Sequence, residues 1–153
     1  MNTEDLKNIA QNIVAQADEL KRQIVDEPAP VNYTCIFCQT EDEYSSFLEL
    51  AGQMGKVVHD TNAGPVFKIE PLPTVAGNLL LLKIRKPDPN RPERGDADFT
   101  LTNYEEFKKE HLGKGGYQLI DKGDFEMIEY KAPNAKVLVY FSNPTLGEVL
   151  GVT

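Results

Sequence analysis

The chain has 153 residues, 24 of them acidic against 16 basic, for a formal net charge of −8. That sign repels phosphate backbones and anionic lipid, so neither nucleic acid nor a membrane surface is an expected partner. No apolar run approaches the roughly 20 residues of a membrane helix, and Glu4 and Asp5 stand where a signal peptide would be basic and then apolar, so a cytoplasmic location is expected.

From residue 3 to about residue 25 the apolar side chains fall into two interlocking heptad series, Leu6, Ile13, Leu20 and Ala10, Ala17, Ile24, widened by Ile9 and Val14. This spacing predicts an amphipathic helix. Glu4 and Asp5 suit its positive end, and Pro28 and Pro30 end it in a stiff extended connection. The apolar stripe needs a partner. It is read either as lying on the chain's own domain or as the seam of a homodimer, in which the alanines let two helices approach closely.

Residues 33–38 have the β-branched and aromatic content of a strand. Cys35 and Cys38 lie three apart within it, on opposite faces, so reduced buried thiols are expected rather than a disulfide or a zinc half-site. Thr40 and Glu43 form a capping-box pattern that opens a helix to about Met54, with Tyr44, Phe47, Leu48 and Ala51 on one face and Gly55 as its stop. Strands are expected over residues 56–59, 65–70 and 78–85, with turns at 61–64 and 71–77.

After the proline-rich stretch 86–94 the same grammar returns. Asp96 to Leu101 alternates, with Ala97, Phe99 and Leu101 on one side and Asp96, Asp98 and Thr100 on the other. Thr102 with Glu105, or Asn103 with Glu106, caps a helix that carries Tyr104, Phe107 and Leu112 inward and stops at Gly113, Gly115 and Gly116. Strands follow over residues 117–120, 125–130 and 136–141. The division is then residues 1–30 for the helix and its proline connection, 31–86 for a first βαβββ unit, 87–94 for the linker and 95–153 for a second unit, together one compact α+β domain. Two such units side by side are expected to share an antiparallel sheet and leave a cleft.

This order, with the pattern Gly95-Asp96-Ala97-Asp98-Phe99-Thr100-Leu101-Thr102-Asn103 of a strand running into a helix, resembles the vicinal oxygen chelate superfamily, the glyoxalase and extradiol dioxygenase group, over residues 32–143. A pair of ferredoxin-like units, or a dimeric α/β barrel, would use the same elements in another strand order. The resemblance implies a cleft in which a divalent metal is held by one residue near the start of each opening strand and a glutamate on each closing strand. The matching positions are Tyr33, Leu81, Asp96 and Val139, of which only Asp96 can ligate a metal. A divergent member without the usual ligand set is therefore expected, with no metal and no cofactor.

Charge takes the metal's place in this reading. The strand parity that points Leu81 into the cleft also points Lys83 and Arg85 there and turns Leu80, Leu82 and Ile84 toward the helices. Buried charges persist when paired or bound to a ligand. Lys83 and Arg85 with Asp96 and Asp98 are thus read either as an ion-pair network closing the cleft or as an anion site, in which an arginine fork grips a carboxylate or phosphate against Tyr33, Phe37 and Phe141. The expected ligand-binding set is Tyr33, His59, Lys83, Arg85, Asp96 and Asp98, with no catalytic residue assigned. His59 on its strand is read as structural or as an acid or base, and His111 as solvated. Arg91 and Arg94 are read as solvated or as a lid, and Gly113-Lys114-Gly115-Gly116 as a helix stop rather than a phosphate loop.

Three functions follow in order. The first is a metal-free glyoxalase-like binding or accessory protein that holds a small molecule, anionic or of mixed polar and apolar character, above Lys83 and Arg85, a reading that leans away from an enzyme without deciding it. The second is a metal-dependent lyase, isomerase or dioxygenase with an atypical site at Asp96 and Asp98, joined by Glu126, Glu129 or His59. The third is an oligomeric interaction protein whose cleft is vestigial.

Overall fold

The structure, a computed structural model, describes residues 1–152. Asn2 and Asp5 cap each other's backbone amides at 3.0 and 2.8 Å, which starts helix α1 (Thr3–Arg22). The chain continues as β1 (Val31–Phe37), α2 (Glu41–Met54), β2 (Gly55–Thr61), β3 (Gly64–Thr74) and β4 (Gly77–Arg85). The second half runs β5 (Gly95–Phe99), α3 (Tyr104–His111), β6 (Tyr117–Asp121), β7 (Glu126–Tyr130), β8 (Val137–Asn143) and α4 (Leu146–Leu150).

All eight strands join one sheet in the order β2-β3-β4-β1-β5-β8-β7-β6. In each half the first strand crosses through a helix and returns by a three-strand meander, so β1 lies parallel to β4 and β5 parallel to β8. The expected antiparallel sheet is therefore mixed: a three-strand return brings the last strand beside the first in the same direction. The halves meet at the antiparallel pair of β1 and β5, where Thr34 faces Ala97 and Cys35 faces Asp96.

Three stretches differ from the sequence reading. β3 continues through Pro71 and Pro73, because a register shift between Lys68 and Leu72 accommodates residues that a regular central strand would reject. At α3 the cap residue Asn103 makes no side-chain bond, and the Thr102 hydroxyl instead donates to Glu27 across the fold. Helix α4 was not anticipated, although Thr145 and Glu148 form a capping box and Gly151 closes it at φ +71°.

One face of the sheet carries Ile36, Leu82, Ile84, Ala97, Phe99, Val139 and Phe141, buried against α1 and α2. The α1 stripe of Leu6, Ala10, Ile13, Val14 and Ala17 is 0–1% exposed there. The surface read alternatively as a dimer seam is thus occupied by the chain's own sheet. Val139, placed at a cleft position by the resemblance, belongs to this helix-covered face, as does Phe141, expected in the cleft wall. Its ring packs 4.7 Å from Phe107.

At its C-terminal end α1 buries charge. Lys21 and Asp18 pair at 2.8 Å with side chains 6% exposed, and the same ammonium donates to the Ala29 carbonyl at 3.1 Å and lies 5.0 Å from the Phe99 ring. The pair ties the helix to the proline connection. Asp18 also takes Arg22 Nε at 2.8 Å, so it is removal of Asp18 that leaves a buried charge, the Lys21 ammonium, without a counter-charge, at a cost of about 3–5 kcal/mol. No described helix is long and apolar enough to cross a membrane.

Where α1 crosses β5 there is no room for a side chain: a Cβ on Gly95 would sit 2.2 Å from the Cys35 carbonyl oxygen and 2.8 Å from Ile13 Cδ1. Gly95→Ala is expected to lose about 2–3 kcal/mol in urea unfolding. Gly52→Ala, in helix α2 with nothing within 4 Å, is expected to gain about 0.5–1 kcal/mol. Equal effects at the two positions would contradict this packing.

Candidate functional site

The other face of the sheet is built by alternation. Because neighbouring side chains on a strand point opposite ways, Tyr33, Cys35 and Phe37 emerge opposite Thr34 and Ile36, and Leu81, Lys83 and Arg85 opposite Leu82 and Ile84. Backbone pairing aligns these residues in rows across the strands. One row is Val66, Lys83, Cys35, Asp96 and Leu138; a second is Tyr33, Asp98, Tyr140 and Glu129. The rows lie about 7 Å apart, two residues along a strand.

Over this floor lies a cleft of about 450 Å³. The β2–β3 turn forms one rim with His59, Thr61, Asn62 and Ala63. That turn depends on Gly64, whose φ of +145° suits glycine and whose Cβ would lie 2.0 Å from the Ile84 carbonyl oxygen. The β6–β7 turn supplies Ile120, Lys122, Asp124 and Phe125 opposite. Helix α4 closes an end with Leu146, Val149 and Leu150, held by the Gly147 amide donating to Asn32 Oδ1 at 2.9 Å.

Of the six expected residues, Tyr33, His59, Lys83, Arg85 and Asp96 line this cavity. Asp98 does not: it is 0% exposed and accepts a hydrogen bond from the Ser142 hydroxyl, while its Oδ1 has no partner. The expected ion-pair network of Lys83 and Arg85 with Asp96 and Asp98 is not formed. Lys83 and Asp96 stand on opposite sides of Cys35, about 10 Å apart across two strand spacings. Arg85 turns to Asp88 at 3.4 Å and stacks 5.4 Å from Phe37. Among the described residues neither Lys83 nor Lys122 has a carboxylate within salt-bridge distance.

The linker arginines part company. Arg91 lines the cleft and reaches Glu129 at 3.3 Å, where Glu129 also accepts from the Tyr140 hydroxyl at 2.8 Å. Arg94 instead grips Glu43 with two nitrogens at 2.6 and 3.2 Å and lies over Phe47, so it is a clamp on α2 rather than a lid. Glu126, considered as a metal ligand, points to the helix side and takes Lys108 at 2.8 Å and the Tyr104 hydroxyl at 2.9 Å. His111 is not solvated: it stacks 4.2 Å from Phe107 and 5.1 Å from Tyr117, and burial lowers its pKa.

Burial dominates the cleft's electrostatics. It pushes the Asp96 carboxyl up to about 7, against the pull of Lys83 and Arg85, and Asp98 up to about 8, against the Ser142 hydrogen bond. Tyr33 and Cys35 are raised by burial and then by Asp96. Lys122 at the mouth is lowered by desolvation and by the neighbouring charges of Lys83, Arg85 and Arg91. Four cations thus share one opening in a chain of net charge −8. Cys35 and Cys38 are free buried thiols on opposite faces, with burial pushing Cys38 up to about 12.

The sequence reading missed Lys122, Tyr140 and the α4 roof. Parity along β8 could have supplied Tyr140 once its register was known, and the Thr145-Leu146-Gly147-Glu148 capping box could have supplied α4. Among the described residues no three His, Cys, Asp or Glu side chains converge as a metal-ligand set.

No family model matches the chain, and no curated protein matches it. A solved structure described as "Structural Genomics, Protein EC4020" is similar over 99% of this chain and 96% of that chain, with 15% sequence identity and a TM-score of 0.70. At that identity the likeness shows a shared α+β fold and carries no activity across.

Because Asp98 holds its proton in the folded chain up to about pH 8, while an unfolded aspartate loses it near pH 3.9, the group's contribution to stability is complete in acid and is lost as pH rises through about 8. Asp98→Asn is therefore expected to gain on the wild type as urea midpoints are followed from pH 5 to 8. A constant difference across that range would contradict the assignment.

Proposed function

We propose that this chain is a metal-free, glyoxalase-like binding or accessory protein that holds a small anionic ligand in the cleft above Lys83, Arg85 and Asp96. The observation that carries the proposal is the arrangement of cations. Lys83, Arg85, Arg91 and Lys122 line one cavity, only two of them meet a carboxylate among the described residues, and their mutual repulsion is relieved when an anion enters. An ion-pair network would have filled the floor; instead about 450 Å³ stays open, a volume within the range of small-molecule sites. The repeated strand-helix-strand-strand-strand order supports the glyoxalase-like part of the reading, and the acidic composition suits a cytoplasmic protein.

The resemblance implies a divalent metal, and the residues present do not fit one. Tyr33, Leu81 and Asp96 occupy three of the marked positions, and the cleft-facing residues nearest the fourth are Leu138 and Tyr140. Leu81 is 0% exposed and offers no donor. An enzyme built on Asp96 and Asp98 as ligands would need both carboxyls in the cavity, and Asp98 is sealed off with Ser142. The third reading, a vestigial cleft, is the weaker for the same open volume.

Thermal unfolding with inorganic phosphate and a panel of small carboxylates tests the proposal. A bound anion at a hundredfold excess over its Kd is expected to raise Tm by about 5 °C or more. The double variant Lys83→Gln, Arg85→Gln is expected to unfold near the unliganded wild-type Tm and to lose the shift. No shift with any anion, or an undiminished shift in the double variant, would overturn it.

A further inference from the structure

Asp96 differs from the other buried carboxylates near the cleft in having no partner at all. Glu129 is held by Arg91 and Tyr140, and Asp98 by Ser142. Asp96 is 4% exposed and lines the cavity, yet among the described residues no hydrogen bond reaches its carboxyl, and its Oδ1 is orphaned. Its neighbours across the sheet, Cys35 and Leu138, cannot supply the bond: the thiol faces the Ile36 carbonyl at 3.9 Å and leucine has no polar atom. Buried polar groups in folded proteins are nearly always satisfied, so an unpaired carboxyl on a residue that lines an open cavity points to a partner that arrives from outside.

The far part of the cavity is of another kind. Ile120, Phe125 and Met127 from the second half and Leu146 and Leu150 of α4 give it an apolar end that a bare inorganic ion would leave in contact with water. Resting on the anion-binding reading, we infer that the ligand is a small organic acid whose carboxylate lies among Lys83, Arg85 and a protonated Asp96, accepting a hydrogen bond from it, with an apolar body against Phe125, Met127 and Leu146. A carboxylic acid beside a carboxylate shares its proton, whereas two ionised carboxylates at that distance repel.

Binding is therefore coupled to uptake of a proton at Asp96. The charged and titratable groups around it are Tyr33 and Cys35 of β1, Lys83 and Arg85 of β4, Asp98 of its own strand, Tyr140 of β8 and Glu129 of β7. Arg91 of the linker, Lys122 and Asp124 of the β6–β7 turn and His59 of β2 line the same cavity. Burial holds the empty-site carboxyl at about 7, and an incoming negative charge moves it higher. Affinity then weakens about tenfold for each pH unit above about 7.

Calorimetric titration of the full chain with phenylacetate, at pH 6 to 9 and with acetate and inorganic phosphate as comparisons, tests this. Phenylacetate is expected to bind more tightly than acetate, to lose about tenfold in affinity from pH 8 to 9, and to take up close to one proton per site at pH 8, read from two buffers of different ionisation enthalpy. Asp96→Asn, which keeps an N–H donor in the same place, is expected to bind phenylacetate with the same affinity at pH 7 and 9. Should that variant fail to fold, proton uptake by the wild type decides alone. Phenylacetate binding without proton uptake, or a pH slope retained in Asp96→Asn, overturns the inference while leaving an anion site in place. Phosphate binding without phenylacetate overturns the organic-acid class, and acetate binding as tightly as phenylacetate overturns the apolar body assigned to the ligand. If none of the three binds, the anion-binding reading itself falls.

Discussion

The register of β1 against β5 governs both faces of the molecule at once. Thr34 faces Ala97 at the middle of the seam, and its hydroxyl donates to the Asp96 carbonyl, so the pairing is pinned by a side chain as well as by the ladder. Side chains alternate along a strand, so a slip of one residue would turn Asp96 and Asp98 into the helices and Ala97 and Phe99 into the cleft. Gly95 and Ile13 oppose such a slip from the other side, since α1 crosses β5 where only a bare backbone fits. The helix-side core and the polar floor are consequences of one alignment.

That alignment also explains why charges of both signs face one cavity without closing it. Partners on adjacent strands are close enough to pair, but Lys83 and Asp96 are separated by Cys35, a residue with little to offer either. The arginines that do pair reach sideways, Arg85 to Asp88 and Arg91 to Glu129, and leave the middle of the floor open. Desolvation raises Asp96 to about 7 and Asp98 to about 8, because no cation on the adjacent strands pairs directly with either.

Much of this was legible in the residues. The Leu80 to Arg85 alternation placed Lys83 and Arg85 on the cleft side, Thr40 marked the start of α2 through its bond to the Glu43 amide at 3.1 Å, and the spacing of Cys35 and Cys38 put them on opposite faces. These are local signals, and local geometry decided them. The errors came from long-range pairing. Val139 and Phe141 were placed one residue out of phase because the register of β8 is set by β5, some 40 residues earlier in the chain and not visible from within β8 itself. His111 reads as a charged-helix residue until Tyr117 folds back beside it. The proline-rich linker looked solvated, yet Arg94 and Arg91 are drawn in opposite directions by Glu43 and Glu129, partners that lie 51 and 38 residues away.

The bond from the Gly147 amide to Asn32 spans 115 residues and ties the roof of the cavity to the first strand of its floor. Contacts of such separation carry a loop-closure entropy that the rest of the fold has to offset. Were the proposed ligand to occupy the cleft, its occupancy would report on the whole molecule: a partly assembled chain has the lysine and arginine of β4 but no enclosure to hold anything against them, and such a ligand would selectively protect finished molecules.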